Sequence, residues 1–333
     1  MSFWVTRVSK FLVLALAILF VTCTVMIASE HTVTIEKART PKVVQKSNEI
    51  RMVFVGDIML SRNIGETIAK KKDPTFFFAS TTEFLKSADI TFGNLENPVS
   101  TRGIRSGSIY SFRADPQTLQ GLTSAGFNVV SIANNHIWDY GKQAFKDTLS
   151  NLLENDIGAV GGGENYAEAH TPKILVVGKT RIAFLAYTNL ISPKLGLASS
   201  TPAISRYDDT ILQTDITEAK KVSDFVVVSF HWGDEYQTKH NPEQERVGKF
   251  VIDAGANLVI GHHPHVVQEV EEYNGGYIAY SLGNFIFDQN FSKDTKHGLA
   301  LVVTLKDDKI ISVDKKEVSF ADGYHPYFAE HNK

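Results

Sequence analysis

The stretch Leu258-Val259-Ile260-Gly261-His262-His263-Pro264-His265 shows the pattern that decides the fold: a short apolar run ends at a glycine, and polar residues follow at once. The same pattern occurs where Met52–Val55 precedes Gly56-Asp57, and where Phe225–Phe230 precedes His231. Continuous apolar runs of this length are typical of strands buried on both faces of a sheet. The pattern therefore predicts a buried sheet whose strands end in polar residues.

Helical segments alternate with these strands, which favours an α/β sheet over an all-β body. Further strands are predicted at Ile90–Phe92, Val129–Ile132 and Tyr277–Ser281, and helices at Ile64–Lys71, Pro116–Ala125, Lys142–Asn155 and Glu243–Ala254. Two hairpins are predicted, Lys173–Val177 with Arg181–Tyr187 and Leu299–Leu305 with Ile310–Val318, each around a short polar turn. The hairpins would add antiparallel strands to a mixed sheet or supply a second sheet.

Composition and charge indicate a globular protein without affinity for nucleic acid. Of the 333 residues, 43% are hydrophobic and 21% charged, which is ordinary for a folded domain. The 34 basic and 37 acidic side chains give a net charge of −3, so no general positive field attracts a polyanion such as nucleic acid. Cys23 is the only cysteine, which excludes intrachain disulfides and a thiolate metal site in the body.

The N-terminus carries an apolar, charge-free run from Phe11 to Ala28, about as long as a bilayer-spanning helix requires. Arg7 and Lys10 precede it, which favours an N-terminus inside the cell and a body outside. A cleaved signal peptide is the competing interpretation. We expect an anchor or signal at residues 1–29, a tether at 30–50, one domain at 51–320 and a tail at 321–333, with the protein at the cell membrane as a single-pass chain.

The polar residues after the strands are of metal-ligand type. In open α/β sheets, ligands bind beyond the carboxyl ends of the strands, so these residues are expected to converge. The predicted metal ligands are Asp57, Glu96, Asn135, His231, His263 and His265. Oxygen and imidazole donors without thiolate suit Mn, Zn or Fe, so we expect one or two divalent transition-metal ions.

Alternatives remain open for several of these ligands. Asp57 can instead cap the helix that follows it, and Glu96 can be a solvated loop residue. His262 can replace either of the two histidines that follow it in the chain. His231 directly follows a buried run, where an imidazole without a partner would be costly.

Three further residues are candidates for catalysis or substrate binding. His136 is the candidate general acid, with Asn135 beside it, because a histidine near neutral pKa can protonate a leaving group. The alternative is a structural histidine held by hydrogen bonds. Arg113 lies in a loop close to the expected site, and its guanidinium suits a carboxylate or phosphate. Asn284 follows the strand at Tyr277–Ser281, and we expect both Arg113 and Asn284 to bind substrate.

Taken in order, the motifs resemble those of the CapA family of bacterial poly-γ-glutamate capsule proteins, within the metallophosphoesterase-like superfamily. The resemblance covers roughly Arg51 to Val318. It rests on Val55-Gly56-Asp57-Ile58-Met59, Gly93-Asn94-Leu95-Glu96-Asn97-Pro98, Phe112-Arg113-Ala114, Ala133-Asn134-Asn135-His136, Asp139-Tyr140-Gly141, His231-Trp232-Gly233, Gly261-His262-His263-Pro264-His265 and Ser281-Leu282-Gly283-Asn284-Phe285.

The resemblance implies a four-layer α/β/β/α sandwich of mixed sheets, like that of metal-dependent phosphatases. It also implies a bacterial membrane-anchored location and a role in making or exporting an anionic polymer, poly-γ-glutamate, or in handling its precursor, with membrane synthase components as partners. In the superfamily's asparagine-histidine motif, matched by Asn135-His136, the asparagine holds metal and the histidine assists the leaving group.

Two positions depart from the superfamily's motifs. Met59 stands where the first motif has a histidine, and Glu96 where the second has a bridging aspartate. A metal-dependent hydrolase-like site therefore has rivals: a phosphoesterase acting on a wall or polymer precursor, and a non-catalytic subunit that binds polymer.

Overall fold

The structure, a computed structural model, describes residues 49–106, 108–192, 202–322 and 324–328. The apolar run at residues 11–28 and nearly all of the expected tether lie outside these ranges. Among the helices within them, none combines the length and the apolar character needed to cross a bilayer.

Sixteen strands and seven helices make up the described part of the chain. The strands are β1 (Glu49–Ile58), β2 (Ile90–Leu95), β3 (Val129–Ser131), β4 (Gly158–Val160), β5 (Gly162–Gly163), β6 (Lys173–Val177), β7 (Thr180–Thr188), β8 (Ala203–Ile204), β9 (Phe225–His231), β10 (Leu258–His262), β11 (Val270–Tyr273), β12 (Gly276–Ala279), β13 (Asn284–Ile286), β14 (His297–Lys306), β15 (Lys309–Ala321) and β16 (His325–Phe328). The α-helices are α1 (Arg62–Lys71), α2 (Thr82–Lys86), α3 (Leu119–Ala125), α4 (Gly141–Glu154), α5 (Tyr166–Ala169), α6 (Asp209–Val222) and α7 (Pro242–Asp253).

Two large sheets form the body. The first has the order β16-β15-β14-β1-β2-β3-β4, with β13 also paired to β1; strands β1 to β4 are parallel, and β14 to β16 are antiparallel. The second has the order β11-β12-β10-β9-β7-β6, with a parallel centre and one antiparallel strand at each edge. β5 and β8 form a separate small pair.

The second sheet is buried on both faces, as alternate residues of β7 show. Ile182 and Phe184 belong to the hydrophobic cluster that includes the first sheet and helices α1 to α4, and the ring of Phe184 stacks on Phe92 of β2 at 5.8 Å. Ala183 and Leu185 point to the other face and join α6 and α7 in a second cluster. Because successive side chains of a strand face opposite sides, burial on both faces explains the continuous apolar runs.

The mixed α/β architecture predicted from the sequence is confirmed. The predicted strands correspond to β1, β2, β3, β9, β10 and β12, and the two hairpins to β6 with β7 and β14 with β15. The predicted helices correspond to α1, α3, α4 and α7, and a short 3-10 turn at Pro116–Thr118 precedes α3. Helices α2, α5 and α6 and strands β4, β5, β8, β11, β13 and β16 were not predicted. The first sheet continues past residue 320 through β16.

The carboxyl ends of the central strands lie side by side, which brings the polar residues together. Asp57 at the end of β1 is in register with Asn94 of β2 and with Asn284 of β13, and His231 of β9 is opposite His262 of β10. Gly56 makes this close approach possible, since a Cβ at that position would lie 1.9 Å from the Gly283 carbonyl oxygen.

Candidate metal centre and cleft

Asp57 lies at the centre of the cluster and is fully buried. Its Oδ1 accepts a hydrogen bond from the Asn94 amide at 2.8 Å, and its Oδ2 accepts one from the His263 backbone N–H at 3.2 Å. His262 and His265 each place Nδ1 at 3.3 Å from this carboxylate. Burial alone would raise the pKa of Asp57, but the close approach of these two imidazoles holds it well below its usual range. The carboxylate is therefore ionised and able to bind a cation.

Glu96 is equally buried, but its surroundings favour the opposite protonation state in the absence of a cation. Burial, followed by the negative charges of Asp57 and Glu235, raises the pKa of Glu96 well above its usual range. Its Oε1 makes no hydrogen bond and lies 3.5 Å from His265 Nε2. A buried carboxylate oxygen without a hydrogen-bond donor, beside a second carboxylate, is the arrangement that a bound cation would satisfy.

Asn94, which precedes Glu96 by two residues, connects the donors. Its amide nitrogen lies 2.8 Å from Asp57 Oδ1, 3.3 Å from Glu96 Oε2 and 3.2 Å from His231 Nδ1. Its carbonyl oxygen accepts from the amide of Asn134 at 3.1 Å. Asn94 is thus a residue that positions the ligands, a role that prediction from the sequence missed.

His231 contacts the predicted ligand Asn135 directly. Because the Asn94 amide donates to Nδ1 of His231, the proton of the neutral ring resides on Nε2, which donates to Asn135 Oδ1 at 2.8 Å. Burial, followed by the nearby His263, lowers the pKa of His231 well below its usual value. The ring is therefore neutral, and it would bind an ion by giving up one of these two hydrogen bonds.

His263 and His265 sit on a strained turn after β10. Both have left-handed backbone conformations, with φ of 98° and 57°. Non-glycine residues rarely adopt such angles, and they persist where the surrounding structure holds them. His263 Nδ1 is buried without a hydrogen bond, and burial, followed by the charge of His265, lowers the pKa of His263 to about 3. His265 donates from Nδ1 to Asn284 Oδ1 at 3.0 Å, which orients its ring and leaves Nε2 free.

The donors fall into two groups, each with its ligand atoms within 4.8 Å of one another. The first group is Asp57, Glu96 and His231; the second is Glu235, His263 and His265. The chemistry of both groups fits a divalent transition metal, because they combine carboxylates with imidazoles. The buried atoms without hydrogen bonds, Glu96 Oε1 and His263 Nδ1, support the same fit. The two groups lie adjacent, since His265 also contacts Glu96.

The sequence motifs left open the roles of His262 and Met59, and the structure shows the surroundings of both residues. His262 is fully buried and neither of its ring nitrogens forms a hydrogen bond, although Nδ1 lies 3.3 Å from Asp57. It is therefore a further donor beside the first group. Met59, at the position of the superfamily histidine, is buried, and its sulfur accepts a weak hydrogen bond from the Ser61 N–H.

His136 lies at the edge of the cluster, where its side chain is 14% exposed. Its Nδ1 is 2.8 Å from Asp139 Oδ2, and the same carboxylate oxygen accepts from the Phe112 N–H at 2.7 Å. The ring also packs on Phe112, with centroids 4.2 Å apart. The Asp139 carboxylate holds the proton of the His136 ring on Nδ1, so that Nε2 faces away from Asp139. This arrangement is suited to acid–base chemistry.

Of the two residues predicted to bind substrate, Asn284 lies in the cluster, and Arg113 is not among the described residues that line the cleft. Asn284 is buried and orients His265. The guanidinium of Arg113 donates to the Arg102 carbonyl at 3.1 Å and lies 4.3 Å above the Tyr140 ring. The arginine beside the cluster is Arg62, which sequence patterns did not single out.

A cleft of about 540 Å³ opens over the second donor group. Its lining includes His265, Glu235, Asn135 and His136, together with Arg62 and several aromatic side chains. The cleft therefore gives a substrate access to the donors and to His136 at once.

The described residues form a mixed α/β fold whose central strands end at one cluster of possible metal donors. A provisionally assigned 5′-nucleotidase from Staphylococcus aureus has a similar fold, with a TM-score of 0.50 and 16% sequence identity; the match covers 84% of this chain and 54% of that one. At that identity the similarity concerns the fold alone. The chain belongs to the bacterial capsule synthesis protein family PGA_cap, whose family model matches residues 51–289.

Two relatives agree with this assignment. The capsule biosynthesis protein CapA of Bacillus anthracis is 32% identical over 295 residues, covering 86% of this chain and 71% of the relative. The PGA biosynthesis protein CapA of Bacillus subtilis is 35% identical over 261 residues, covering 77% and 68% respectively. The family resemblance inferred from the motifs is confirmed.

Proposed function

We propose that this protein acts in the synthesis or export of capsular poly-γ-glutamate through a metal-dependent, hydrolase-like site. The family and the names of the two CapA relatives support the polymer. The observation that carries the hydrolase-like site is the pair of adjacent donor groups, one around Asp57 and one around His263, beneath an open cleft.

The residues of the cleft have two proposed roles, metal binding and proton donation. Asp57, Glu96 and His231 would hold one ion, and Glu235, His263 and His265 a second, with Asn135 and His262 close by. A divalent Mn, Zn or Fe ion would supply Lewis acidity toward an ester or amide oxygen. His136, oriented by Asp139, donates a proton to the leaving group.

We further propose that residues 1–29 keep the protein at the bacterial cell membrane, with residues 51–320 outside. The apolar run Phe11–Ala28 and the basic residues before it support this topology. A body held outside the membrane would meet the growing polymer, or its precursor, next to the membrane synthase components.

The metal content of the purified full-length chain tests the proposal. Elemental analysis is expected to find one or two transition-metal ions per wild-type chain, and Asp57→Ala and His263→Ala are expected to lose them. His240→Ala, which removes a histidine paired with Glu269 outside the donor groups, should keep them. A folded wild-type protein that binds neither Mn²⁺ nor Zn²⁺ when these are supplied contradicts the hydrolase-like site and favours a polymer-binding subunit.

The bond that the site acts on is tested separately. Turnover of an aryl phosphate that stops on chelation would favour a phosphoesterase acting on a precursor. Shortening of purified poly-γ-glutamate, followed by gel filtration, would favour cleavage of the polymer itself. The variant His136→Ala serves as the control in both assays.

A further inference from the structure

The mouth of the cleft is lined by exposed aromatic rings. Tyr110, Tyr236 and Phe291 are 60%, 41% and 64% exposed, and all three line the cleft. The rings of Tyr236 and Phe291 meet edge to face, with centroids 5.0 Å apart. Large apolar side chains gathered around one opening mark a site that another group covers.

The same aromatic surface continues inward to the metal donors. Phe287 packs on the His265 ring at 4.7 Å, and Phe112 lies 5.9 Å from Phe287 and 4.2 Å from His136. Tyr236 is fixed to the donor segment by its backbone N–H, which donates to the Pro264 carbonyl at 2.8 Å. A ligand held by the outer rings therefore lies next to the donors and the proposed acid.

The charges of the cleft do not suit a carboxylate-bearing group. Among the described residues that line it, Arg62 is the sole lysine or arginine, and its guanidinium lies 3.0 Å from the buried carboxylate of Asp288. Glu235 adds a second negative charge.

We propose that this cleft binds a flat, uncharged ring of the substrate, stacked among Tyr110, Tyr236 and Phe291, while the anionic reacting group faces the metal donors. This inference rests on the proposed metal site and names the substrate class for it. Aromatic partners prefer stacked and edge-to-face contacts with such rings, and no lysine or arginine among the described lining residues is free to pair with the carboxylates of poly-γ-glutamate. The substrate is therefore a ring-bearing anionic compound, and the polymer chain lies outside this cleft.

Binding of three phosphonates to the full-length, Mn²⁺-supplied protein tests the inference without requiring turnover. The probes are phenylphosphonate, methylphosphonate and 3-phosphonopropionate, measured by calorimetry. Phenylphosphonate is expected to bind about tenfold more tightly than methylphosphonate. Phe291→Ala and Tyr110→Ala should remove most of that difference and leave methylphosphonate binding unchanged. Tyr327→Ala, an exposed aromatic residue on β16 outside the cleft lining, is the matched control.

The outcomes separate this inference from the proposed function. If phenylphosphonate binds no more tightly than methylphosphonate while the metal content is intact, the aromatic subsite is wrong and the proposed function stands. If 3-phosphonopropionate binds most tightly, the cleft recognises carboxylates and the inference is likewise overturned. If the wild-type protein holds no metal, both proposals fail.

Discussion

The amide nitrogen of Asn94 lies 2.8 Å from Oδ1 of Asp57, so a neutral side chain on one strand orients the central carboxylate on the next. The same nitrogen faces Glu96 Oε2 at 3.3 Å and His231 Nδ1 at 3.2 Å. One amide thus determines where three donors of the first group point. Partners of this kind, although not ligands themselves, affect metal affinity.

Asn94→Ala is expected to lower metal affinity about 10- to 100-fold, because three ligands lose the group that orients them. Competition with a chelator of known affinity measures the change. The matched control is Asn151→Ala, which removes a half-buried amide donating to the Val99 carbonyl at 2.9 Å, outside the site. The control should lose stability and keep its metal affinity; equal affinity in both variants would contradict the positioning role.

Glu235→Gln is expected to lower the metal content by up to one ion per chain, because it weakens the second donor group alone. Asp234→Asn is the control, since this neighbouring carboxylate accepts from the Asn241 amide and lies outside both donor groups. Elemental analysis after removal of loosely bound metal compares the two variants. Full metal content in Glu235→Gln would show that His263 and His265 need no carboxylate there.

Glu96→Gln is expected to stabilise the metal-free protein at neutral pH while weakening metal binding. The folded state raises the pKa of Glu96, so the contribution of this group to stability is present below its unfolded pKa and is lost as pH rises. The variant lacks this loss, so it should be more stable than the wild type at pH 8, and the difference should be smaller at pH 5. Unfolding by denaturant in the presence of a chelator, at pH 5 and at pH 8, measures the difference in stability between the variant and the wild type. An equal difference at both pH values would argue against the raised pKa.

His263 is expected to make the metal-free protein acid-sensitive. Its pKa is about 3 in the folded state, below the usual value, so unfolded chains take up the proton first as pH falls. Below about pH 6.5, this proton uptake by the unfolded chain lowers the free energy of unfolding by up to about 1.4 kcal/mol per pH unit. His263→Gln should flatten the dependence between pH 7 and pH 5. Parallel curves for His263→Gln and wild type would contradict the prediction.

His136→Ala is expected to reduce turnover of an aryl phosphate about 10²- to 10⁴-fold, the usual effect of removing a general acid. Asp139→Asn should give a smaller loss, because the ring keeps its place but loses the carboxylate that orients it. Initial rates are measured on protein of known metal content. A loss of metal in His136→Ala would instead identify this residue as a ligand.

The sequence predicted the strands and most donors because both depend on local patterns. A buried parallel strand needs a continuous apolar run, and the donors follow directly at its end, as in Phe225–His231 and Leu258–His262. Helix α6 also has a local sequence signal, an N-cap followed by apolar residues at helical spacing, although the helix was not predicted. Asp208 caps it by accepting from the Ile211 N–H, and Leu212, Ile216 and Ala219 are buried at helical spacing.

The remaining features depend on long-range packing. Glu235 is an exposed carboxylate in a loop, and only the fold brings it to the two histidines after β10. β13, at Asn284–Ile286, is too short for any periodic signal. Arg113 was expected at the site from its place in the chain, but its guanidinium is engaged by the Arg102 carbonyl and by Tyr140.

The pairing of β1 with β13 and β14 joins Asp57 to segments that lie far from it in the chain. The possible donors after β1, β9 and β10 therefore come together only when distant segments have paired. If the cluster holds an ion as proposed, the coordination sphere would be completed by this long-range pairing. Because protein sites rank transition metals similarly, the metal available where the strands pair would largely decide which ion is bound.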